Sequence, residues 1–256
     1  MHRAARDLSE RELYKLLVNT VLPRPIALVT TRDARGRANA APFSFFNVFS
    51  HAPPLVVLGI EGRGDPARPF KDTLANIRAT GEFVVNLVDR AMVDAMQVCA
   101  ADFPAGEDEI AAAGLVSAPG EAVAAPRLPA SPVQLECRET VALAVGRRDR
   151  MLIVGEILHI HLRDGAVDER LHVDVDALDL VGRLHGADWY ATTRDRFRVP
   201  RVTYEDWRAR RAAGGAPRDR RGGGGKAGGV AATNPTPPPP PPPGGAAAPP
   251  PRPSHA

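Results

Sequence analysis

The stretch NAAPFSFFNVFS at residues 39–50 combines small residues, aromatic rings and polar side chains in a segment typical of a β-strand. Alternate residues of a strand face opposite sides of a sheet, so this mixture suits the tightly packed wall of a β-barrel. The run RPIALVTT at 24–31 precedes it, and RDARG at 32–36 supplies the turn residues between the two. We therefore expect an antiparallel pair in which residues 39–50 form the returning strand.

The rest of the folded part also has mainly β character. Strand-like runs follow at 55–60, 82–88, 133–145 and 151–162, the last two joined by the hairpin signal GRRDR at 146–150. Short helices are predicted at 91–99, 107–113 and 173–182, and an N-terminal helix is expected to start at a capping box formed by Ser9 and Glu12. About six strands with few helices favour a barrel, which removes unpaired sheet edges.

A second stretch, FKDTLANI at 70–77, reads as the start of a helix that Asp72 can cap and Gly81 can end. The first turn of a helix offers unpaired backbone N–H groups and a positive dipole end, which attract phosphate. Lys71 adds a positive charge there, and Thr73 and Asn76 add hydrogen-bond donors. We expect this helix start to hold a phosphate.

The small residues of the first stretch complete the hypothesis of a binding site. Ala40, Ala41 and Pro42 carry no bulky side chains and would let a flat ring approach the backbone closely. Phe43, Phe45 or Phe46 could form the wall of such a slot, although for any single one of them barrel core is the better explanation. A redox cofactor that carries a phosphate needs both halves, the ring slot and the phosphate anchor.

The charge distribution argues against a nucleic-acid-binding body. Residues 194–226 hold eleven Arg or Lys against four Asp or Glu, and Arg252 adds one more, so of the total +3 the first 193 residues carry −5. No apolar run approaches the length of a membrane span, and the acid-containing N-terminus does not resemble a signal peptide. We expect a soluble, cytoplasmic protein that binds neither nucleic acid nor membrane.

The sequence gives no strong signal for a metal site. Cys99 and Cys137 are far apart and lack metal-ligand spacing, so we expect two buried thiols rather than a disulfide or a zinc site. His159 and His161 share one face of a predicted strand, but no third ligand is evident. These two histidines are therefore either a pair of metal ligands or part of a solvated strand face, and we predict no metal.

The C-terminal segment changes composition abruptly to Arg, Gly, Ala and Pro, with seven consecutive prolines at 237–243. Such a segment cannot bury enough apolar surface to offset its chain entropy, so we predict a folded domain over 1–207 and a disordered tail over 208–256. The tail is either an inert extension or a ligand for a proline-reading domain. In the second case, the protein could be an adaptor with a vestigial barrel.

The ordered series of motifs resembles the flavin reductase-like family. The matching stretches are PRPIALVTT, NAAPFSFFNVFS, PPLVVLGI, KDTLANI, TGEFVVNLV, LECRET and VGRLHGADWY, which together span about residues 16–190. The resemblance implies a six-stranded antiparallel split β-barrel that binds FMN, usually as a homodimer. Two features depart from the family pattern: the Arg- and Pro-rich tail, which the family does not require, and the sparsely decorated loop GRGDPARP at 62–69.

The resemblance also implies site residues. Arg24, Thr30 and Thr31 would belong to the strand that lines the flavin, while Lys71 and Thr73 would hold the phosphate, with Asn76 nearby. The residues that would contact the flavin from the opening stretch are Asn39, Ala40, Ala41, Pro42, Phe43 and Ser44.

The resulting hypothesis is an FMN-dependent oxidoreductase. It would take hydride from NADH or NADPH onto flavin N5 and pass electrons to free flavin, a partner oxygenase or a ferric complex. No protein side chain is predicted to be catalytic, because hydride transfer depends on alignment. No GxGxxG motif supports a Rossmann domain, so a nicotinamide would bind only transiently. The alternative is an FMN-binding or electron-transfer protein without reductase turnover.

Overall fold

The computed structural model describes residues 2–63, 65, 67, 69–104, 106–146, 150–186 and 188–212. The chain divides into two compact units, the first over residues 1–198 and the second over residues 199–256. The first unit contains all the described strands and all the residues predicted for the site.

Ten strands are found in the described part of the first unit. They are β1 (Arg24–Pro25), β2 (Ala27–Arg32), β3 (Ala38–Phe43), β4 (Phe46–His51), β5 (Pro54–Ile60), β6 (Glu82–Leu87), β7 (Val133–Ala144), β8 (Met151–Leu162), β9 (Val181–Arg183) and β10 (Tyr190–Thr192).

Six α-helices are found among the described residues, five in the first unit and the last in the second. They are α1 (Glu10–Thr20), α2 (Asp72–Thr80), α3 (Val93–Val98), α4 (Glu109–Ala112), α5 (Val175–Leu178) and α6 (Tyr204–Ala212).

The main sheet is an antiparallel split barrel. Its seven strands lie in the order β3-β2-β6-β7-β8-β5-β4, and a separate three-stranded sheet has the order β1-β9-β10. The predicted mainly β split-barrel class is confirmed, but the predicted count of six strands is wrong by one. The two edge strands, β3 and β4, follow each other in the chain, so the barrel is split between them.

The extra strand arises because the opening stretch forms two strands instead of one. Phe43 and Phe46 are both buried in the barrel core, although they are three residues apart. Residues of one continuous strand share a face only at even spacing, so the chain must break between them. At the break, Gly59 N–H donates to Phe45 O at 2.7 Å, and a Cβ on Gly59 would lie 3.2 Å from Phe45 Cβ.

Two apolar layers lie on opposite faces of β2. Ala27 and Val29 face the barrel interior, which is filled by side chains such as Leu58 and Phe83. Leu28 faces the other way, into a second cluster. That cluster packs α3 and α4 against the outside of β2 and β3, through Ala40, Met92, Met96, Cys99 and Ile110. Helices α3 and α4 therefore lie beside the edge of the sheet at β3.

Local sequence signals predicted some helix ends correctly and missed others. The capping box at the start of α1 is confirmed, with Glu12 N–H donating to Ser9 Oγ and Ser9 N–H donating to Glu12 Oε2. Gly81 ends α2 in the left-handed region, as predicted. The N-cap prediction for Asp72 is wrong, because Lys71 holds the extended N-cap position and Asp72 is the first helical residue.

The helix predicted over 173–182 is much shorter than expected. Asp174 caps α5 by accepting hydrogen bonds from the N–H groups of Asp176 and Ala177. Asp179 adopts a left-handed conformation (φ 44°) that ends the helix, and Val181 starts β9. A capping aspartate at one end and the pairing of β9 with β1 at the other therefore confine the helix.

In the second unit, the described residues include the helix α6. Thr203 Oγ1 accepts from Asp206 N–H at 3.1 Å and donates to the Asp206 carboxylate at 2.7 Å, a reciprocal cap. The segment 208–212, predicted to be disordered, is therefore helical, since the cap and the Arg and Ala residues favour helix there. The rest of the predicted tail, 213–256, lies outside the described residues, as do residues 147–149 of the predicted hairpin turn.

None of the helices in the described part of the chain combines the length and apolar character that a membrane span requires.

Candidate functional site

A cleft of about 540 Å³ lies between the edge strand β3, the first turn of α2 and the segment that follows α3. Its described lining consists of Asn39, Ala40, Ala41, Pro42, Phe43, Gly62, Arg63, Lys71, Asp72, Thr73, Cys99, Ala100, Ala101, Asp102, Phe103 and Glu109. Seven of the twelve residues predicted for the site are in this set, namely Asn39 to Phe43, Lys71 and Thr73. The two stretches singled out in the sequence therefore meet in one cleft.

The start of α2 borders the cleft and carries backbone N–H groups that precede the helical hydrogen bonds. The helical ladder begins with Ala75 N–H donating to Lys71 O at 3.0 Å, so the N–H groups of Thr73 and Leu74 come before it. The N-cap side chain of Lys71 makes no capping hydrogen bond. A helix start without a side-chain cap leaves its donors and its positive dipole end for an anion.

Two cationic side chains accompany this helix start. Lys71 is exposed, and its ammonium group makes no hydrogen bond or ion pair within the described part of the chain. Arg63 is held in place instead, because its Nη2 lies 2.8 Å from Asp72 Oδ2 and its Nε donates to Phe70 O at 3.2 Å. Arg63 comes from the loop GRGDPARP at 62–69, for which no role in nucleotide binding was predicted.

Hydrogen bonds between buried side chains fix α2 against the sheet. Asn39 Nδ2 donates to Thr73 Oγ1 at 3.0 Å, and Asn76 Nδ2 donates to Thr31 Oγ1 at 3.0 Å. All four residues are buried, and Thr31 and Thr73 are almost inaccessible. Buried polar groups are costly without partners, so both bonds hold the helix start at one position relative to β3.

The rim of the cleft is the unpaired edge of β3. Ala40 N–H points away from β2, because it donates to Glu109 Oε2 at 3.3 Å. Alternation along the strand then places the ring nitrogen of Pro42, which has no N–H, on the same outward side. Together with Ala41, these residues form a rim of small side chains, as the sequence predicted.

The wall beside the rim at Ala40 contains Cys99 and Glu109. Burial raises the pKa of the Cys99 thiol to about 11, and the nearby Glu109 carboxylate adds to this effect. Cys99 is therefore a protonated, inert thiol near neutral pH. Burial also raises the pKa of the Glu109 carboxyl above its ordinary value. Cys99 and Glu109 were not among the predicted site residues.

Arg24 and Ser44, also predicted for the site, contact each other but do not belong to the described lining of the cleft. Arg24 Nε donates to Ser44 Oγ at 3.2 Å, while its Nη1 donates to the carbonyls of Val18 (2.6 Å) and Val21 (3.1 Å). Its Nη2 donates to Leu184 O at 3.4 Å. Arg24 therefore ties the C-terminal end of α1 to the small sheet.

Thr30, Thr31 and Asn76 are likewise absent from the described lining. Thr30 faces the outer layer, where its hydroxyl donates to Pro126 O and accepts from Asn86 Nδ2. Thr31 and Asn76 lie one layer behind the cleft, bonded to each other. The structure thus brings together the phosphate half and the small-residue half of the predicted site, and places these three residues behind it.

The two histidines predicted to share a strand face do so. The rings of His159 and His161 stack with centroids 4.5 Å apart, and His161 Nε2 lies 2.6 Å from Glu136 Oε1. Among the described residues, no group of three or more potential ligands could hold a metal ion. Cys137, the other predicted buried thiol, is also buried and free in the barrel core.

The first unit thus combines a split barrel with a cleft that the start of α2 and the small residues of β3 line together. The family model described as "Flavin reductase like domain" matches residues 19–179. The chain therefore belongs to the flavin reductase-like family and is placed among flavin-dependent oxidoreductases.

Similar proteins cover nearly all of the folded part. An uncharacterized protein of Deinococcus radiodurans is 44% identical over 206 residues, which cover 78% of this chain and 89% of the relative. Among solved structures, the 2-nitrobenzoate 2-nitroreductase NbaA of Pseudomonas fluorescens is 35% identical with a TM-score of 0.72, covering 80% of this chain and 98% of its own. The nitrilotriacetate monooxygenase component B of Bacillus cereus is 28% identical with a TM-score of 0.73, covering 78% and 98%.

Proposed function

We propose that the protein is an FMN-binding oxidoreductase that takes hydride from NADH or NADPH and passes the electrons to a second acceptor. The observation that carries this proposal is the single cleft in which the uncapped start of α2 faces the small-residue rim of β3. A cofactor with a flat ring and a terminal phosphate needs both features at once.

The residues of the cleft fit FMN. Lys71, Thr73 and the first-turn N–H groups of α2 would hold the phosphate, with Arg63 beside them. The backbone at Ala40, Ala41 and Pro42 would lie against the ring, because side chains of this size leave room for it. FAD would need space for a second phosphate and an adenosine, and FMN requires only the features named here.

The role proposed for the protein side chains is to position the cofactor. A bound flavin would supply the redox chemistry, accepting a hydride at N5 and releasing electrons to the next acceptor. The buried bonds of Asn39 with Thr73 and of Asn76 with Thr31 hold α2 at a fixed spacing from β3 and β2, so that the phosphate end would orient the ring end. The Cys99 thiol, with its raised pKa, takes no part as a nucleophile.

The proposed acceptor is a separate protein such as an oxygenase. Support comes from the similarity to a solved structure that is component B of a monooxygenase. In such a division of labour, one component would supply reducing equivalents to the other. Free flavin and ferric complexes are the other acceptors to be compared in the assay.

A homodimer is proposed as the working state. Val48 and Phe49 on the edge strand β4 are 60% and 70% exposed, and α1 carries exposed Leu16 and Leu17. Exposed apolar side chains on a sheet edge and a neighbouring helix are typical of an interaction surface. The cytoplasmic location expected from the sequence stays a prediction.

The deciding experiment is anaerobic reduction of the FMN-loaded protein. Under argon, NADH or NADPH should bleach the flavin absorbance near about 450 nm, and adding free FMN or FAD should show whether electrons leave the protein. Flavin that stays oxidised with both nucleotides would support the alternative, an FMN-binding protein without reductase turnover. Failure to bind FMN at all would overturn the proposal.

A further inference from the structure

The cleft contains more carboxyl groups than an anion site would be expected to hold. Among the described residues that line it, the cations are Arg63 and Lys71, and the carboxyl groups are Asp72, Asp102 and Glu109. Asp72 is engaged by Arg63 at 2.8 Å. Within the described lining, a phosphate therefore meets three carboxyl groups and two cationic side chains, so neutralising one carboxyl group would remove the excess.

Glu109 is the carboxyl group best placed to change its charge. It is half-buried in α4, and its Oε2 accepts the Ala40 N–H at 3.3 Å, which fixes the side chain at the rim. Burial raises the pKa of Glu109, and the carboxylates of Asp72 and Asp108 raise it further, against the opposing effect of the Ala40 hydrogen bond. Protonated Glu109 also gains an O–H donor, which a carboxylate lacks.

The charged and titratable groups around Glu109 come from every element that surrounds it. The same cleft is lined by Lys71 and Asp72 at the start of α2, by Arg63 from the preceding loop, and by Cys99 and Asp102 at and after the end of α3, while Asp108 precedes Glu109 in the chain. Arg37, Asp33 and Glu107 line a smaller hollow that Glu109 also borders. Arg37 is bound to Asp33 at 2.8 Å and is therefore already balanced by a carboxylate. A phosphate dianion brought to Lys71 would add a double negative charge to the cleft that Glu109 also lines.

We propose that Glu109 sets how strongly the cleft holds the phosphate of a flavin, and that it takes up a proton from solvent when a phosphate-bearing flavin binds. Ionised Glu109 repels the phosphate, whereas neutral Glu109 does not repel it and can donate a hydrogen bond to it. The inference rests on the proposed function, because it concerns the same cleft and the same ligand. It makes the flavin easier to release as pH rises, as suits a cofactor that is exchanged.

The test compares the dissociation constants of FMN and of riboflavin, which lacks the phosphate, between about pH 6.5 and 8.5, where the phosphate is mainly a dianion. The proteins are the full-length chain, its Glu109→Gln variant and, as a matched control, its Glu107→Gln variant. The amide side chain of the first variant retains an oxygen that can accept the Ala40 N–H. Glu107 is exposed, lies two residues away and is not part of the described lining of the cleft.

For the unmodified chain, we expect FMN binding to weaken with rising pH by up to about tenfold per unit, the limit for uptake of one proton. Glu109→Gln should remove most of this slope and bind FMN about tenfold more tightly at pH 8, with riboflavin binding unchanged. Calorimetry in buffers of different ionisation enthalpy should show proton uptake on FMN binding that the variant loses and Glu107→Gln keeps.

Three outcomes would contradict the assignment. Equal FMN affinities and pH slopes for the unmodified chain and Glu109→Gln would overturn it while leaving the proposed function intact. A variant that weakens FMN and riboflavin alike would show that Glu109 only supports the rim through Ala40. An unmodified chain that binds no FMN would overturn the inference together with the proposed function.

Discussion

Asn39 Nδ2 lies 3.0 Å from Thr73 Oγ1, and this single hydrogen bond joins the edge strand β3 to the first turn of α2. Each residue belongs to one of the two stretches that were singled out in the sequence. The bond is buried, so water cannot replace it cheaply. It therefore sets the distance between the helix start and the small-residue rim.

Removing the hydroxyl of this bond should destabilise the fold measurably. We expect Thr73→Val, which keeps the shape, to lower the free energy of unfolding by about 1–3 kcal/mol, because it leaves a buried Asn39 donor without its partner. Urea unfolding followed by fluorescence measures the change. Thr140→Val is the matched control, since Thr140 is exposed on β7, and it should stay within about 0.5 kcal/mol of the unmodified chain. Equal losses in both variants would argue against the bond.

Lys71 should contribute to FMN binding through its charge. We expect Lys71→Ala to weaken FMN binding by about 1.5–3 kcal/mol, the usual range for a hydrogen bond to a charged group. Fluorescence titration of FMN gives the affinity, and Lys15→Ala, on the exposed surface of α1, serves as the control. An affinity that does not change would remove Lys71 from the phosphate site.

Glu136 should stabilise the long segment between α4 and β7. Its fully buried carboxylate accepts N–H groups from Glu121 (2.9 Å), Ala122 (2.6 Å) and Val123 (3.1 Å), and it contacts His161. A glutamine at this position would replace one accepting oxygen with an NH2 group, and this donor would face N–H groups that are themselves donors. We expect Glu136→Gln to lower the free energy of unfolding at pH 7 by about 3 kcal/mol, the scale for leaving buried groups without their charged hydrogen-bond partner.

The loss at Glu136 should depend on pH in a defined direction. Burial alone would raise the pKa of Glu136, but the hydrogen bonds from Glu121, His161 and their neighbours outweigh it and lower the pKa below the ordinary 4.5. A lowered folded-state pKa stabilises the protein above 4.5, and this contribution is lost as pH falls through the folded-state value. Urea unfolding from pH 7 down to about pH 3 should show the two proteins converging in stability. A constant difference would contradict the carboxylate's role.

Both cysteines should resist modification in the native protein. Cys99 and Cys137 are buried, and burial raises the pKa of each thiol, to about 11 for Cys99. The thiolate is the reactive form, so we expect labelling by a disulfide reagent at pH 8 to be slow in buffer and complete in urea. Two thiols that label rapidly without denaturant would show that the clusters around them open readily.

Local sequence signals predicted much of this fold because their causes are local. The capping box of Ser9 and Glu12 and the left-handed Gly81 depend on neighbouring residues, and both are confirmed. The break in the opening stretch could also have been found, since two phenylalanines at odd spacing cannot share one face of a strand. The cap formed by Thr203 and Asp206 was a further readable signal for α6.

The site was only half predictable because its other half depends on contacts between distant parts of the chain. Residue types and a phosphate argument brought out Lys71, Thr73 and the small rim. Nothing local indicated that Arg63 would lie against α2, or that Glu109 would reach the rim of the cleft and bind Ala40 N–H. Conversely, the family resemblance implied that Arg24 lines the flavin, but its guanidinium donates to the carbonyl groups of Val18, Val21 and Leu184.

The outward edge of β3 is a strand edge, and such edges can pair with a strand of another protein molecule. Exposed strand edges promote aggregation when their N–H and C=O groups are open to a neighbouring chain. Here Pro42 offers no N–H, and the N–H of Ala40 is already bound by Glu109. The mouth of the cleft thus protects the protein against edge-to-edge association while leaving small molecules access to it.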